Sequence, residues 1–220
     1  MLIKNINKYI NEYKNISPVF LIRVSEYMKD KSFDFKSKIE KISNRILNIK
    51  ENTIKIVLYI IPEATPRPRL SLTSGKFYVK NSKTNSNFME LIVRNNNDIL
   101  NLITTPCRFI VNTFLPIPKG FNKIDTILAE MGLIRPITKP DWDNLGKTYS
   151  DMIQKHLIID DSIIIEGSCN KYYSLKPRVE ILIHYKEEFD CKYNEKLIDK
   201  KLNKLLKRNE IQCRKVTLSH

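Results

Sequence analysis

Histidine, glycine and paired cysteine are what this sequence has least of, and each shortage removes a class of chemistry. Three histidines in 220 residues argue against a His-rich transition-metal site. The four cysteines, Cys107, Cys169, Cys191 and Cys213, are scattered without a CxxC pair, so they read as reduced thiols rather than bridges or zinc ligands. Five glycines form no phosphate-cradling loop, which argues against a nucleotide pocket of that kind. No apolar run approaches the roughly 18 to 20 residues that a membrane span requires. The opening MLIKNINKYINEYK alternates polar and apolar residues and lacks a continuous apolar signal region, so a cytoplasmic protein is expected.

What is present suits one globular domain with appendages, or two small ones: 42% of residues are hydrophobic and 28% charged. We expect a helical N-terminal extension over 1–50, a central domain over 51–188 and a basic helical tail over 189–220. The net charge is +14, unevenly spread. Residues 1–50 carry 11 Lys/Arg against 5 Asp/Glu, residues 186–220 carry 10 against 6, and the middle 17 against 13. Basic flanks around a nearly balanced middle fit a polyanion, because each phosphate neutralised releases counterions. A Lys/Asn/Ile-rich composition set by nucleotide bias is the plainer explanation of the same charge.

Along the chain, Ile3, Ile6, Tyr9, Ile10 and Tyr13 recur at helical spacing, as do Ile39, Ile42, Ile46 and Ile49 after Asp34. Pro18 and the apolar VFLIRV between them predict a break or a short buried segment. TIKIVLYII (53–61) reads as a strand, followed by PEATPRPRL, whose prolines hold Arg67 and Arg69 on a stiff extended segment. Those arginines suit phosphate contacts, or simply decorate a polar loop. A turn at Ser74–Gly75 leads into KFYVK, a small hairpin strand, and Thr84–Arg94 reads as a helix. CRFIVNTF (107–114) is a second strand, and 121–132 a short helix or loop. Residues 162–172 and 178–185 form two further strands, the latter alternating as a half-buried strand should. Leu197, Ile198, Leu202, Leu205 and Leu206 then mark a basic amphipathic helix, either solvated and partly packed or in contact with DNA or a partner.

The most informative stretch is KPDWDNLGKTYSDMIQKHLIIDD, residues 139–161. Pro140 makes Lys139 extended, after which Asp141 or Asp143 can cap a new helix. Leu145, Tyr149, Met152, Ile153 and His156 make its apolar face. Asp143, Lys147 and Asp151 fall at i, i+4 and i+8 on a separate polar stripe, which leans Lys147 over the turn holding the aspartates. One aspartate suffices for a cap. A second, with Asp160 and Asp161 beyond the helix, gathers like charges that repel unless a cation sits among them. Oxygen-only ligands select Mg²⁺, or Mn²⁺ as a substitute. A metal held so can activate water against a phosphodiester, and Lys147 can offset the developing charge.

KPDWDNLGKTYSDMI, IIDDSIIIEGSCNKYY and PRVEILIHY together resemble the RusA family of Holliday junction resolvases, and TPRPRLSLTSGKFYVK is similar to the Arg-Pro-Arg stretch of its phage-type members. The resemblance covers roughly residues 53–185 in the right order. It implies a homodimeric, Mg²⁺-dependent endonuclease that nicks branched DNA such as four-way junctions, in a bacterial or phage-infected cell, with roles in recombination and repair. The implied fold is α+β, a small mixed sheet in β-α-β-α-β-β order with helices packed on it, here with helical extensions at both ends. By motif position, Asp141, Asp143 and Asp161 are the metal-binding and catalytic carboxylates and Lys147 the essential lysine. Asn144, Asp160 and Lys171 match supporting positions, and Arg67, Arg69, Lys139 and Lys171 are the expected DNA contacts. The flanks 1–50 and 186–220 depart from compact members, and Gly146 within the helix suggests close approach of DNA or a partner subunit. An inactive branched-DNA-binding protein of the same fold is the alternative, and the intact acidic set argues against it.

Overall fold

The computed structural model describes residues 18–64, 69–70, 77–78, 102–154 and 156–217. The chain divides into two units, Met1–Ile49 and Lys50–His220. Within the first, helix α1 (Pro18–Lys29) and helix α2 (Phe33–Leu47) are separated by a short turn. Pro18, where a break is expected, is the first residue of α1: its missing N–H costs nothing in the first turn, and its fixed φ suits that position. Ser32 Oγ accepts the Phe35 N–H at 3.2 Å and caps α2, which buries none of its residues. The periodic Ile3-to-Tyr13 stretch lies outside the described residues.

In the second unit, β1 (Glu51–Leu58) leads to a two-stranded hairpin of β2 (Arg69–Leu70) and β3 (Phe77–Tyr78), then to β4 (Cys107–Pro116). Helices α3 (Lys123–Glu130) and α4 (Trp142–Ile153) follow, then a 3₁₀ turn at Asp161–Ile163, β5 (Ile164–Ser174), β6 (Arg178–Lys186) and α5 (Lys192–Thr217). The sheet order is β1-β6-β4-β5, with β4 and β5 parallel and the other pairs antiparallel. The class is α+β. The helix expected at Thr84–Arg94 lies outside the described residues, and a second helix, α4, stands between α3 and β5.

Alternation decides which face of the sheet is inside. Phe109, Val111 and Thr113 of β4 are buried, as are Val179, Ile181 and Ile183 of β6, and Val111 sits opposite Ile181 in the ladder. Helix α4 closes over the core with Leu145, Tyr149 and Ile153, all fully buried. Each such side chain contributes about 1.5–3 kcal/mol on leaving water. His156, expected on that apolar face, is exposed, because the helix has already ended at Ile153. A smaller cluster of Leu115, Ala129 and Tyr173 seats α3, which Asn122 caps through the Asp125 N–H (2.8 Å) and Gly132 ends at φ +74°.

The C-terminal helix is not a separate tail along its first half. Ile198 is only 7% exposed and belongs to the main core, with Leu202 packed against it. Burial at i and i+4 fixes the helix's rotation over this turn.

Candidate functional site

Asp141 sits at the N-cap position of α4 through its backbone, accepting the Leu145 N–H at 3.1 Å, yet its side chain makes no capping bond. The capping role expected of an aspartate side chain is thus not taken up there, and the carboxylate stands exposed. Asp143 follows in the first turn, where the helix dipole favours negative charge.

Asp161 reaches the same neighbourhood by a buried route. After α4 ends, Leu157 and Ile158 turn back on Ile153 through backbone bonds of 2.9 and 3.3 Å. Ile103 then grips the segment from its other side, donating to Leu157 O (2.8 Å) and accepting from the Ile159 N–H (3.0 Å). Leu157, Ile158 and Ile159 are all buried, so the chain leading to the Asp160–Asp161 pair is held by core packing. Asp160 Oδ1 accepts the Ser162 N–H at 3.0 Å and closes the turn.

A cleft of about 410 Å³ results, lined by α4 residues Trp142, Asp143, Gly146, Lys147 and Ser150, by Asp161 and Ile164, and by Phe109, Gly167, Ser168 and Cys169 of the sheet. Of the residues singled out in the sequence, Asp143, Lys147 and Asp161 meet there; Asp141, Asn144, Asp160 and Lys171 are not among its lining. Among the described residues, no three His, Cys, Asp or Glu side chains form a ready-made metal cage. Two carboxylates on one cleft are nevertheless what a magnesium site asks of a protein, since substrate phosphate and water fill the other positions. Asp143 and Asp161 fit that donor set.

Three residues have neighbours that the spacing does not predict. Lys147 was expected over the turn at the helix mouth, but its ammonium lies 3.2 Å from Asp151, one turn further along the helix. That pair is exposed at both ends, so it is weak and can give way to a phosphate. Lys171, expected to contact DNA, points its ammonium at backbone: Thr138 O at 2.6 Å and Pro140 O at 2.9 Å. It holds the segment that leads into α4. Gly146, where close approach of DNA or a partner is expected, lines the cleft, and a Cβ there would also meet Cys169 Cβ of β5 at 3.5 Å. Lys139 is exposed, Arg69 belongs to β2, and Arg67 lies outside the described residues.

Sequence reasoning missed Trp142 and Lys201. Trp142 Nε1 donates to Cys169 O at 2.6 Å, pinning the first turn of α4 to β5; a lone tryptophan between two aspartates was the available signal. Lys201 Nζ reaches Asp160 Oδ1 at 2.9 Å and Ser162 Oγ at 2.6 Å, and nothing local in the sequence links residues 41 apart. The Ser162 hydroxyl, then Lys201, hold the Asp160 carboxyl down to about 2. Burial pushes the Cys169 thiol up to about 11, so this cleft residue is no nucleophile at neutral pH.

A family model described as Endodeoxyribonuclease RusA matches residues 60–184, a span that contains every residue singled out in the cleft. The chain belongs to the RusA family. It is also 34% identical over 134 residues to the uncharacterized protein YqaN of Bacillus subtilis (strain 168), an alignment covering 59% of this chain and 94% of YqaN. The RusA match takes in Asp143, Lys147 and Asp161 but stops short of β1 and α5, so Lys201 stands outside it. RusA membership makes this a chain of the Holliday-junction-resolvase kind of endodeoxyribonuclease. Among the described residues, no helix is long and apolar enough to cross a membrane.

Proposed function

We propose that this protein is a Mg²⁺-dependent endodeoxyribonuclease that resolves four-way or related branched DNA by paired phosphodiester nicks in recombination and repair, acting as a homodimer. The observation that carries this reading is the meeting of Asp143, Lys147 and Asp161 on one cleft within the RusA match. Asp143 and Asp161 would hold the ion, with Mn²⁺ as a substitute, and Asp141, exposed at the helix mouth, would be the third carboxylate of the set. Bound magnesium supplies Lewis acidity toward the phosphate and lowers the pKa of an attacking water.

The chain's own residues do the rest. Lys147 exchanges Asp151 for a phosphoryl oxygen and offsets charge that develops as the bond to the leaving oxygen breaks. Trp142 and Lys171 keep α4 and its approach in register with β5, so the carboxylates do not drift from the scissile phosphate. Arg67, Arg69 and Lys139 supply phosphate contacts that position the duplex arms without reading bases. Asn144 and Asp160 support the two carboxylate-bearing turns.

A synthetic four-way junction tests this directly. Wild type with Mg²⁺ should give symmetric paired nicks, and Asp143→Asn should bind the junction with cleavage lost. Cleavage persisting in Asp143→Asn, or in excess EDTA, would overturn the assignment. Binding by wild type without cleavage in any divalent metal would instead favour an inactive branched-DNA-binding protein.

A further inference from the structure

Lys201 and the turn it grips lie in the same unit as the cleft, and their contacts are more specific than a basic tail requires. The turn carrying Asp161 is bracketed on both sides by one ammonium: Lys201 Nζ bonds the Asp160 carboxylate at 2.9 Å and the Ser162 hydroxyl at 2.6 Å. Asp160 Oδ1 also accepts the Ser162 N–H, so a single oxygen receives both the internal turn bond and the lysine. The lysine is not free to wander, because Ile198 and Leu202, at i−3 and i+1 on its own helix, pack in the core. Asp161 lies between the two gripped residues and opens on the cleft with Asp143.

We infer that Lys201 is a positioning residue of the nuclease centre, through which helix α5 holds the Asp160–Ser162 turn so that Asp161 faces Asp143 across the cleft. Two physical effects follow from the contact. The ammonium neutralises Asp160, so the negative charge next to Asp161 is already matched and need not compete for a cation bound in the cleft. It also restrains, from a distant helix, a turn that is otherwise closed only by local bonds, among them the Ser162 N–H to Asp160 Oδ1 (3.0 Å) and the Ile163 N–H to Asp160 O (3.3 Å). The first half of α5 is thereby part of the catalytic unit, although it lies beyond the residues that the RusA match covers. This rests on the proposed roles of Asp143 and Asp161.

The test uses full-length protein carrying Lys201→Ala, Lys201→Arg or Lys200→Ala, the last removing an equal charge from an exposed site on the same helix. Single-turnover junction cleavage should slow by about ten- to a hundredfold in Lys201→Ala, as for other residues that orient metal ligands, with junction affinity within about twofold. Lys201→Arg should recover part of the rate, and Lys200→Ala should match wild type. Hydrogen exchange gives a readout independent of activity: amides of residues 160–164 should exchange faster in Lys201→Ala while those of β4 and β6 stay protected. Unchanged exchange at 160–164 overturns the inference, as does a cleavage step in Lys201→Ala as fast as in Lys200→Ala. If wild type fails to cleave, the nuclease reading falls, while faster exchange confined to 160–164 still upholds the grip of Lys201 on the turn.

Discussion

Lys147 and Lys171 are the same residue type on neighbouring elements, with opposite surroundings. Lys147 keeps 71% of its side chain in solvent and pairs with exposed Asp151, so it can turn to an incoming phosphate. Lys171 directs its ammonium at two carbonyl oxygens, Thr138 O and Pro140 O, and receives further order from Arg135, whose Nε donates to Lys171 O at 2.6 Å. Hydrogen bonds from a charged donor contribute about 1.5–3 kcal/mol each, less where water can replace them. Lys171→Met should therefore lower the unfolding free energy by about 1–3 kcal/mol in urea titrations. It should slow cleavage more than it weakens junction binding. A variant with unchanged stability and a selective loss of affinity would return Lys171 to the DNA-contact role.

Helix α4 is the element that organises the cleft, and one of its residues runs against helix propensity. Gly146 costs about 1 kcal/mol relative to alanine in a helix interior. Its added Cβ would meet Cys169 Cβ at 3.5 Å, an ordinary van der Waals distance, so nothing on the β5 side forbids the methyl. Gly146→Ala should thus raise stability by up to about 1 kcal/mol, read as a higher urea midpoint with an unchanged slope. The same methyl narrows a cleft that Gly146 lines, so the cleavage rate reports whether that space is used by substrate. A destabilised variant would show that Cys169 and β5 cannot yield the little room required.

At the scale of the whole molecule, the formal charge of +14 gives DNA binding a large sequence-independent component. Junction affinity should fall by about a hundredfold or more between 50 and 200 mM salt, as for proteins that make several phosphate contacts. Cleavage at saturating protein should change far less, because Asp143, Asp161 and Lys147 act at close quarters in a cleft. A salt dependence below about tenfold would mean that few of the 38 Lys/Arg residues touch the backbone, and that composition alone explains the charge.

Much of this was legible in the linear sequence because the signals were local. The period-two pattern of 178–185, the β-branched run after residue 53 and the apolar face of Leu145, Tyr149 and Ile153 each encode a half-buried element within a dozen residues. The D-W-D-N-L-G-K stretch, with Asp160–Asp161, Lys171 and the closing strand after it in order, carried the resemblance to the family. Signals that failed were those needing a partner distant in the chain. Whether Lys171 faces DNA or the carbonyls of Thr138 and Pro140 depends on how β5 lies beside residues more than 30 positions earlier. Residue types and spacing determined that acids, a lysine and a helix would occur together. Only tertiary packing decided that Asp143 and Asp161 share a cleft, that Asp141 stands outside its lining, and that a lysine 41 residues on clasps the turn between β5 and the core. Contacts of that kind are set by which buried faces meet, here Leu157–Ile159 against Ile103 and Ile198 in the main core, and no local pattern encodes that meeting.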